Sequence, residues 1–128
     1  EVRGDNKTPK GMYFVVSKYR GKFDGPYGRY YGGHWIKINY PNAFDAKRGL
    51  DAGLIDSSMA ESMSKAWRKR ELTAQKTELG SGIGFHGWEG PWSLISGGHL
   101  SWGCMVMHNP DIKKAFDTMA EGAMVVIR

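Results

Sequence analysis

The stretch from His86 to Cys104 constrains the fold most, because it holds two chemically useful side chains that are far apart along the chain. Cys104 is the only cysteine among 128 residues, and His86 precedes it by eighteen positions. That separation is too long for a single helical turn or hairpin turn, so only the tertiary fold can bring the two side chains together. A strand ending at His86 beside a second strand starting near Cys104 would do so.

A cysteine and a histidine that meet can act as a nucleophile and its base. A thiol with an ordinary pKa of about 8.5 is mostly protonated at neutral pH and attacks slowly until a neighbour removes its proton or stabilises the thiolate. We therefore expect Cys104 to be the nucleophile, with a thiol pKa below that of free cysteine, and His86 to be its general base and acid. The structural alternative for Cys104 is a small buried apolar residue, and for His86 a residue at a strand end.

Glycines surround both residues. Residues 82–87 read GIGFHG, typical of a short strand in which glycine lets another backbone or a substrate approach closely. Gly103 stands directly before Cys104, where its backbone N–H can donate to a developing oxyanion. His99 is a rival base, five residues before the cysteine, but the strand and glycine context favours His86.

Four landmarks in order resemble the L,D-transpeptidase (YkuD-type) catalytic domain. His86, fourteen intervening residues and then Ser101-Trp102-Gly103-Cys104 are similar to that family's signature, and residues 4–13, GDNKTPKGMY, are similar to its Gly-Asp…Thr-Pro segment. Residues 39–43, NYPNA, and residues 109–112, NPDI, closing on residues 122–127, GAMVVI, resemble the branch that contains murein transpeptidases and lipoprotein-releasing amidases. The resemblance covers about residues 4 to 127 of the chain.

The resemblance implies a mixed β/α fold, mainly β, in which a β-sandwich is flanked by helices. Residues 1–128 would form a single catalytic domain. In family members, further strands of the same sheet precede the segment equivalent to residues 12–17. The sequence does not contain them, so we interpret the chain either as a C-terminal or processed portion or as a domain that lacks an N-terminal partner segment.

The implied function is a cysteine acyl-transferase acting on peptidoglycan stem peptides, through a thioester on Cys104, in cell-wall biogenesis and cell shape. Hydrolysis by the same acyl-enzyme is the alternative, either as a carboxypeptidase or endopeptidase or as an amidase that releases wall-linked lipoprotein. Gly103 would bind the oxyanion, and the expected substrate contacts are Ser101, Trp102, Gly87 and Trp88. The resemblance implies no cofactor, no nucleic-acid partner, and a location in the bacterial periplasm or cell envelope.

Three positions depart from the family pattern. Trp102 stands where many relatives have histidine, and Val106 stands where many have arginine or asparagine. A contact to a substrate carboxylate must then come from elsewhere, with Arg29 and Lys37 as candidates. The residue after His86 is a glycine, so we expect a backbone carbonyl to orient the imidazole.

The net charge of +5 favours anionic partners such as wall polymers, membrane surfaces or nucleic acid. A non-catalytic alternative is therefore a module that binds polymer through the basic and aromatic residues 18–35. A single thiol excludes an internal disulfide, and four scattered histidines argue against a metal site. The sequence contains no apolar run of transmembrane length.

Local patterns predict the elements around these motifs. Strands are expected over residues 12–17, 34–40 and 123–127, because apolar and β-branched residues dominate or alternate there. A helix over residues 43–52 should be followed by a longer one that begins with a capping box of Ser58 and Glu61, with Met59 and Met63 on its core face. A third helix should start at Asn109 as N-cap, followed by Pro110.

Overall fold

The computed structural model describes residues 2–92 and 101–128. Its elements are β1 (Gly11–Arg20), β2 (His34–Ile38), α1 (Ala43–Asp51), α2 (Ser57–Arg68), β3 (Gly84–Gly87), β4 (Met105–Met107), α3 (Asn109–Thr118) and β5 (Met124–Ile127), with a short 3-10 helix at Gly28–Tyr30. The strands form one sheet in the order β4-β3-β2-β1-β5, antiparallel except for the pair of β3 and β4. The predicted mixed β/α class, a sheet with flanking helices, is confirmed.

Strand β1 gives the sheet its curl. Its residues 11–14 pair with β5 and its residues 15–20 pair with β2. The register shifts between Val15 and Ser17, and such a bulge bends a strand and increases its twist. The predicted sandwich is thus built as one sheet whose two halves share a long bent strand.

The main core lies between one face of the sheet and α3. In β2, the fully buried Ile36 and Ile38 alternate with the partly exposed Trp35 and Lys37, as the sequence pattern predicted. Ile112 of α3 belongs to the same buried cluster as the two isoleucines. The opposite face of the sheet, which carries Trp35, is therefore the face left for a site.

A second core cluster joins α1 to α2. Asn42 begins α1 with a reciprocal capping box, because its side chain accepts from the backbone N–H of Asp45 at 2.8 Å while the Asp45 carboxylate accepts from the backbone N–H of Asn42, also at 2.8 Å. Ala46 of α1 and Met63 of α2 are fully buried against one another's helices. The predicted methionine stripe and first helix are confirmed.

The two predicted helix N-caps downstream are wrong. The side chain that caps α2 belongs to Asp56, which accepts from the backbone N–H of Met59 at 2.8 Å, so the helix starts one residue before the Ser58 of the predicted box. In α3 the N-cap residue is His108 and Asn109 is already helical. The Asn109 amide packs against Gly32 and Gly87 instead of capping the helix. None of the helices in the described part of the chain is long and apolar enough to cross a bilayer.

Candidate active site

The parallel pairing of β3 with β4 sets the geometry of the site. His86 is level with Val106, and Cys104 lies two residues before Val106. Side chains two residues apart in a strand point to the same face, so Cys104 and His86 share one face of the sheet. Strand spacing and rise place their Cα atoms roughly 8 Å apart, a gap that a thiol and an imidazole can bridge.

Both side chains open onto one cavity of about 350 Å³. The ring of His86 is only 5% exposed, whereas Cys104 is half-buried. Aromatic rings and a glycine-rich edge enclose the space. The described residues that line it are Phe23, Tyr31, Trp35, Ser81, Gly82, His86, Ser101, Trp102 and Cys104.

The thiol is held by backbone groups of the segment that leads into β3. Its Sγ–H donates to the carbonyl of Gly82, with 3.5 Å between sulfur and oxygen, and the sulfur also accepts from the backbone N–H of Gly84. The hydrogen bond of the resting thiol therefore goes to a carbonyl rather than to His86. The thiol hydrogen has to leave this carbonyl before it can pass to the imidazole.

The orientation of His86 is fixed from three sides. Its Nδ1 lies 2.9 Å from the carbonyl oxygen of Gly87; a carbonyl can only accept, so Nδ1 carries the hydrogen and Nε2 keeps its lone pair. The ring centroids of Tyr31 and Trp35 lie 4.6 Å and 6.0 Å from that of the imidazole, with Trp35 stacked at 22°. The expectation that a backbone carbonyl orients this histidine is confirmed.

Burial dominates the electrostatics of the pair. It lowers the pKa of His86 from its ordinary value, against the opposing effect of the hydrogen bond to Gly87. Burial also raises the pKa of the Cys104 thiol to about 11, against the smaller lowering effect of the Gly84 N–H. The expected low thiol pKa is thus wrong, because desolvation outweighs the local donors, and the resting pair is neutral.

Tyr31 shares this environment. Burial is the main cause that raises the pKa of its hydroxyl, and repulsion from a Cys104 thiolate adds to it. The phenol therefore remains a proton donor at the wall of the cavity.

Residues 101–103, which directly precede Cys104 and are called here the catalytic loop, contact residues 2–10, called here the N-terminal segment. Ser101 donates its hydroxyl to the carbonyl of Cys104 at 2.7 Å, which closes the loop on itself. Gly103 has φ of +106°, and a Cβ built there would lie 2.6 Å from the carbonyl oxygen of Lys7. Only glycine fits this position, because both the backbone conformation and the contact exclude a side chain.

Two of the expected substrate contacts do not line the cavity. Trp88 is 2% exposed and packs against Tyr30, with 5.0 Å between the ring centroids. Gly87 lies against the Asn109 amide, where a Cβ would come within 2.1 Å of Oδ1. Both are packing positions in this structure, whereas the other two expected contacts, Ser101 and Trp102, do line the cavity.

The two cations expected to reach a substrate carboxylate also lie outside that lining. Arg29 stacks over the ring of Tyr30, 4.7 Å from its centroid. Lys37 stands opposite Gly84 on the open face of β2 but does not border the cavity. The rival base His99 lies outside the described residues.

Tyr31, Trp35 and Phe23 are wall residues that sequence reasoning did not connect to the site. For Trp35 a signal existed, because alternation in β2 puts it on the face opposite Ile36, and it is register partner of His86. Tyr31 and Phe23 lie in residues 21–33, between β1 and β2, and only the tertiary fold brings this segment to the cavity. Within residues 2–92 and 101–128, no group of three or more His, Cys, Asp or Glu side chains is placed to hold a metal ion.

The mixed β/α fold, a curled sheet with flanking helices, is consistent with an L,D-transpeptidase catalytic domain. A sequence profile of that family (YkuD) matches residues 1–127, so the chain belongs to it. Members of this family typically process peptidoglycan in the cell envelope.

Among solved structures, the chain is similar to Bd1075 of Bdellovibrio bacteriovorus, with 25% sequence identity and a TM-score of 0.58. The alignment covers 98% of this chain and 35% of Bd1075, so the chain spans about a third of that protein. No curated protein matches the sequence at a significant level.

Proposed function

We propose that the protein is a cysteine acyl-transferase that acts on peptidoglycan stem peptides by L,D-transpeptidation, through a thioester on Cys104. The observation that carries this proposal is the shared cavity, onto which the Cys104 thiol and the neutral imidazole of His86 both open. The family's processing of peptidoglycan supports the choice of substrate.

The first half-reaction forms the thioester. The Cys104 sulfur attacks the carbonyl carbon at the L-centre of the third stem residue, while its proton passes to Nε2 of His86. The carbonyl becomes an oxyanion, to which the backbone N–H of Gly103 donates. The intermediate collapses as the C–N bond breaks, and the departing amine takes the proton from His86.

The second half-reaction returns the free enzyme. An acceptor amine attacks the thioester carbonyl and gives its proton to His86, which passes it to the departing sulfur of Cys104. An amine from a neighbouring stem peptide produces a cross-link, whereas water produces a shortened peptide. Transfer and hydrolysis therefore share one acyl-enzyme, and the acceptor that enters the cavity decides between them.

The neutral resting pair fits a general-base mechanism. Because the pKa of the Cys104 thiol is raised and that of His86 is lowered, no thiolate–imidazolium pair is formed in advance. The proton moves as the carbon–sulfur bond forms, and the thiol gives up its hydrogen bond to the Gly82 carbonyl when it attacks the bound substrate. We place the protein in the periplasm or cell envelope, where stem peptides occur, with wall-linked lipoprotein as an alternative substrate.

Intact-protein mass spectrometry tests the proposal. The protein is mixed with disaccharide tetrapeptide, and we expect a covalent adduct on Cys104 equal in mass to the acyl part of the donor. Purified sacculi are treated with the protein in parallel and then digested to muropeptides. Chromatography of the muropeptides then separates new cross-links, released tripeptides and freed lipoprotein. Cys104→Ala should form no adduct, and His86→Gln should form it at least a hundredfold more slowly, in line with the usual contribution of a general base.

The result also separates catalysis from polymer binding. A folded protein that binds sacculi but yields neither adduct nor altered muropeptides would contradict acyl transfer and favour the non-catalytic module. Adduct formation that persists unchanged in His86→Gln would remove the histidine from its proposed role.

A further inference from the structure

A second cavity, of about 610 Å³, adjoins the catalytic cavity and is called here the basic trough. Ser81 and Trp102 line both cavities, so the two spaces meet at these side chains. Among the described residues, three cationic ones line the trough: Arg3 and Lys7 from the N-terminal segment and Lys76 from the segment before β3. A ligand seated at Cys104 can therefore extend into the trough across Trp102.

The three cations of the basic trough form no ion pair with the described carboxylates. Within residues 2–92 and 101–128, both ion pairs lie on helix α1. Among the described residues that line the trough, Asp5 is the one carboxylate, and it accepts from the backbone N–H groups of Val2 and Lys7 at 3.0 Å each. Both oxygens of Asp5 thus accept from the backbone, and the described lining carries three cations against this one carboxylate.

Backbone contacts hold the N-terminal segment, which carries Arg3 and Lys7, against the segment before β3 and the catalytic loop. The N–H of Arg3 donates to the carbonyl of Glu78 at 2.7 Å. The carbonyl of Lys7 approaches Gly103 so closely that no side chain fits there. The backbone positions of Arg3 and Lys7 are thus set relative to the nucleophile before any ligand arrives, which reduces the entropy lost on binding.

We propose that the basic trough binds carboxylate groups of the peptide whose carbonyl is presented to Cys104. The inference rests on the proposed function and names the subsite that selects an anionic substrate. Guanidinium and ammonium groups form charge-assisted hydrogen bonds with carboxylates, and the planar guanidinium can do so with two at once. Trp102, which is 73% exposed, offers an apolar face to the peptide at the junction of the two cavities.

The surroundings of the nucleophile favour this location for the carboxylate subsite. Val106 carries no charge, and neither Arg29 nor Lys37 lines the catalytic cavity. The trough lies next to that cavity, and three cations line it. A peptide that lies across Trp102 would bring its carboxylates to these cations while its scissile carbonyl stays at the thiol.

Calorimetric titration of the full chain carrying Cys104→Ala measures binding without chemistry. The two ligands are a stem tetrapeptide with free carboxylates and the same peptide with those groups converted to carboxamides. Two sets of substitutions are compared, and each removes three exposed positive charges. The first set removes them from the trough, and the second removes them from α2 and α3. The trough set is Arg3→Gln, Lys7→Gln and Lys76→Gln, and the matched control set is Lys65→Gln, Lys113→Gln and Lys114→Gln.

We expect the trough set to weaken binding of the carboxylate peptide by about tenfold, since each exposed ion pair contributes a few-fold. Binding of the carboxamide peptide should change less than twofold, and the control set should leave both ligands within twofold. Added salt should weaken binding of the carboxylate peptide to the parent more than to the trough set. Equal losses of affinity for both peptides, or equal losses of affinity with both sets of substitutions, would contradict the proposal that the trough binds carboxylates.

This outcome is independent of acyl transfer. If no acyl-enzyme forms, but the protein prefers the carboxylate peptide and the trough set removes this preference, the proposed reaction is wrong and carboxylate binding by the trough is supported. If trough-substituted protein that retains Cys104 forms acyl-enzyme with an unchanged dependence on peptide concentration, carboxylate binding by the trough is wrong and the reaction is supported. Lys76→Gln alone is a second variant, expected to weaken carboxylate binding two- to threefold.

Discussion

At the scale of single residues, burial determines how Cys104 can react. A thiol with a pKa of about 11 is protonated at neutral pH, and the lowered pKa of His86 leaves the imidazole neutral. Such a pair reacts slowly with a general electrophile in solution, because little thiolate is present. It can react quickly with a carbonyl held beside it, because the proton is then transferred within the complex.

Alkylation of Cys104 by iodoacetamide should show this raised pKa directly. We expect the rate in the folded protein to keep rising past pH 9.5 towards pH 11, since only the thiolate reacts. The same cysteine in protein unfolded by guanidinium is the matched control and should level off near its ordinary pKa of about 8.5. Circular dichroism at each pH verifies that the sample is folded; a folded profile that levels off at or below the control would contradict the prediction.

Sequence alone could nominate Cys104 and His86 but could not give the sign of their pKa shifts. The absence of a side chain at Gly87 was enough to predict a backbone carbonyl as the partner of the imidazole. The depth at which the thiol sits depends on rings such as Tyr31, which reach it from a distant loop. Desolvation is therefore a property of the fold that no local pattern contains.

At the scale of elements, the contact between the N-terminal segment and the catalytic loop can be measured with two glycines. Gly103 and Gly82 both have positive φ, but a Cβ on Gly103 would lie 2.6 Å from the Lys7 carbonyl, whereas a Cβ on Gly82 meets nothing within 4 Å. We expect Gly82→Ala to lower the free energy of unfolding by about 1–2 kcal/mol through backbone strain alone. Gly103→Ala should cost roughly 1–3 kcal/mol more, through the added clash.

Urea denaturation with a common m-value measures both losses. Equal destabilisation by the two substitutions would show that the N-terminal segment yields to a side chain at residue 103. The close contact would then have no part in holding the catalytic loop.

The elements themselves were predictable to the extent that they depend on local patterns. The alternation in β2 and the methionine stripe of α2 each follow from which face is buried, and both are confirmed. Helix starts were less accurate, because Asp56 and Ser58 are both competent caps and only the path of the chain selects one. Asn109 was misassigned because its amide packs against Gly87, a tertiary contact.

At the scale of the whole molecule, the site depends on the order of strands rather than on any one motif. A parallel β4 beside β3 puts Cys104 on the same face as His86, and β2 on the other side of β3 adds Trp35. The resemblance of the signature predicted that the two residues meet. It did not predict the basic trough, because Arg3 and Lys76 are brought together only by the packing of the N-terminal segment.

The lowered pKa of His86 makes the free energy of unfolding of the protein depend on pH. Its pKa is lowered on folding from an unfolded value of about 6.5, so its contribution to stability is present above that pH and is lost as the pH falls through the folded value. As the pH decreases through that window, we expect protonation of His86 to lower the free energy of unfolding of the parent by at most about 1.4 kcal/mol per pH unit.

His86→Gln should remove that part of the slope, and Cys104→Ala should retain it, since the imidazole is still buried and the thiol does not titrate in this range. Urea denaturation between pH 7.5 and pH 4.5 compares the three proteins. Because the other titrating groups are common to all three, the difference between the curves isolates the imidazole. Parallel curves for the parent and His86→Gln would mean that folding does not lower the pKa of His86, which would contradict the prediction.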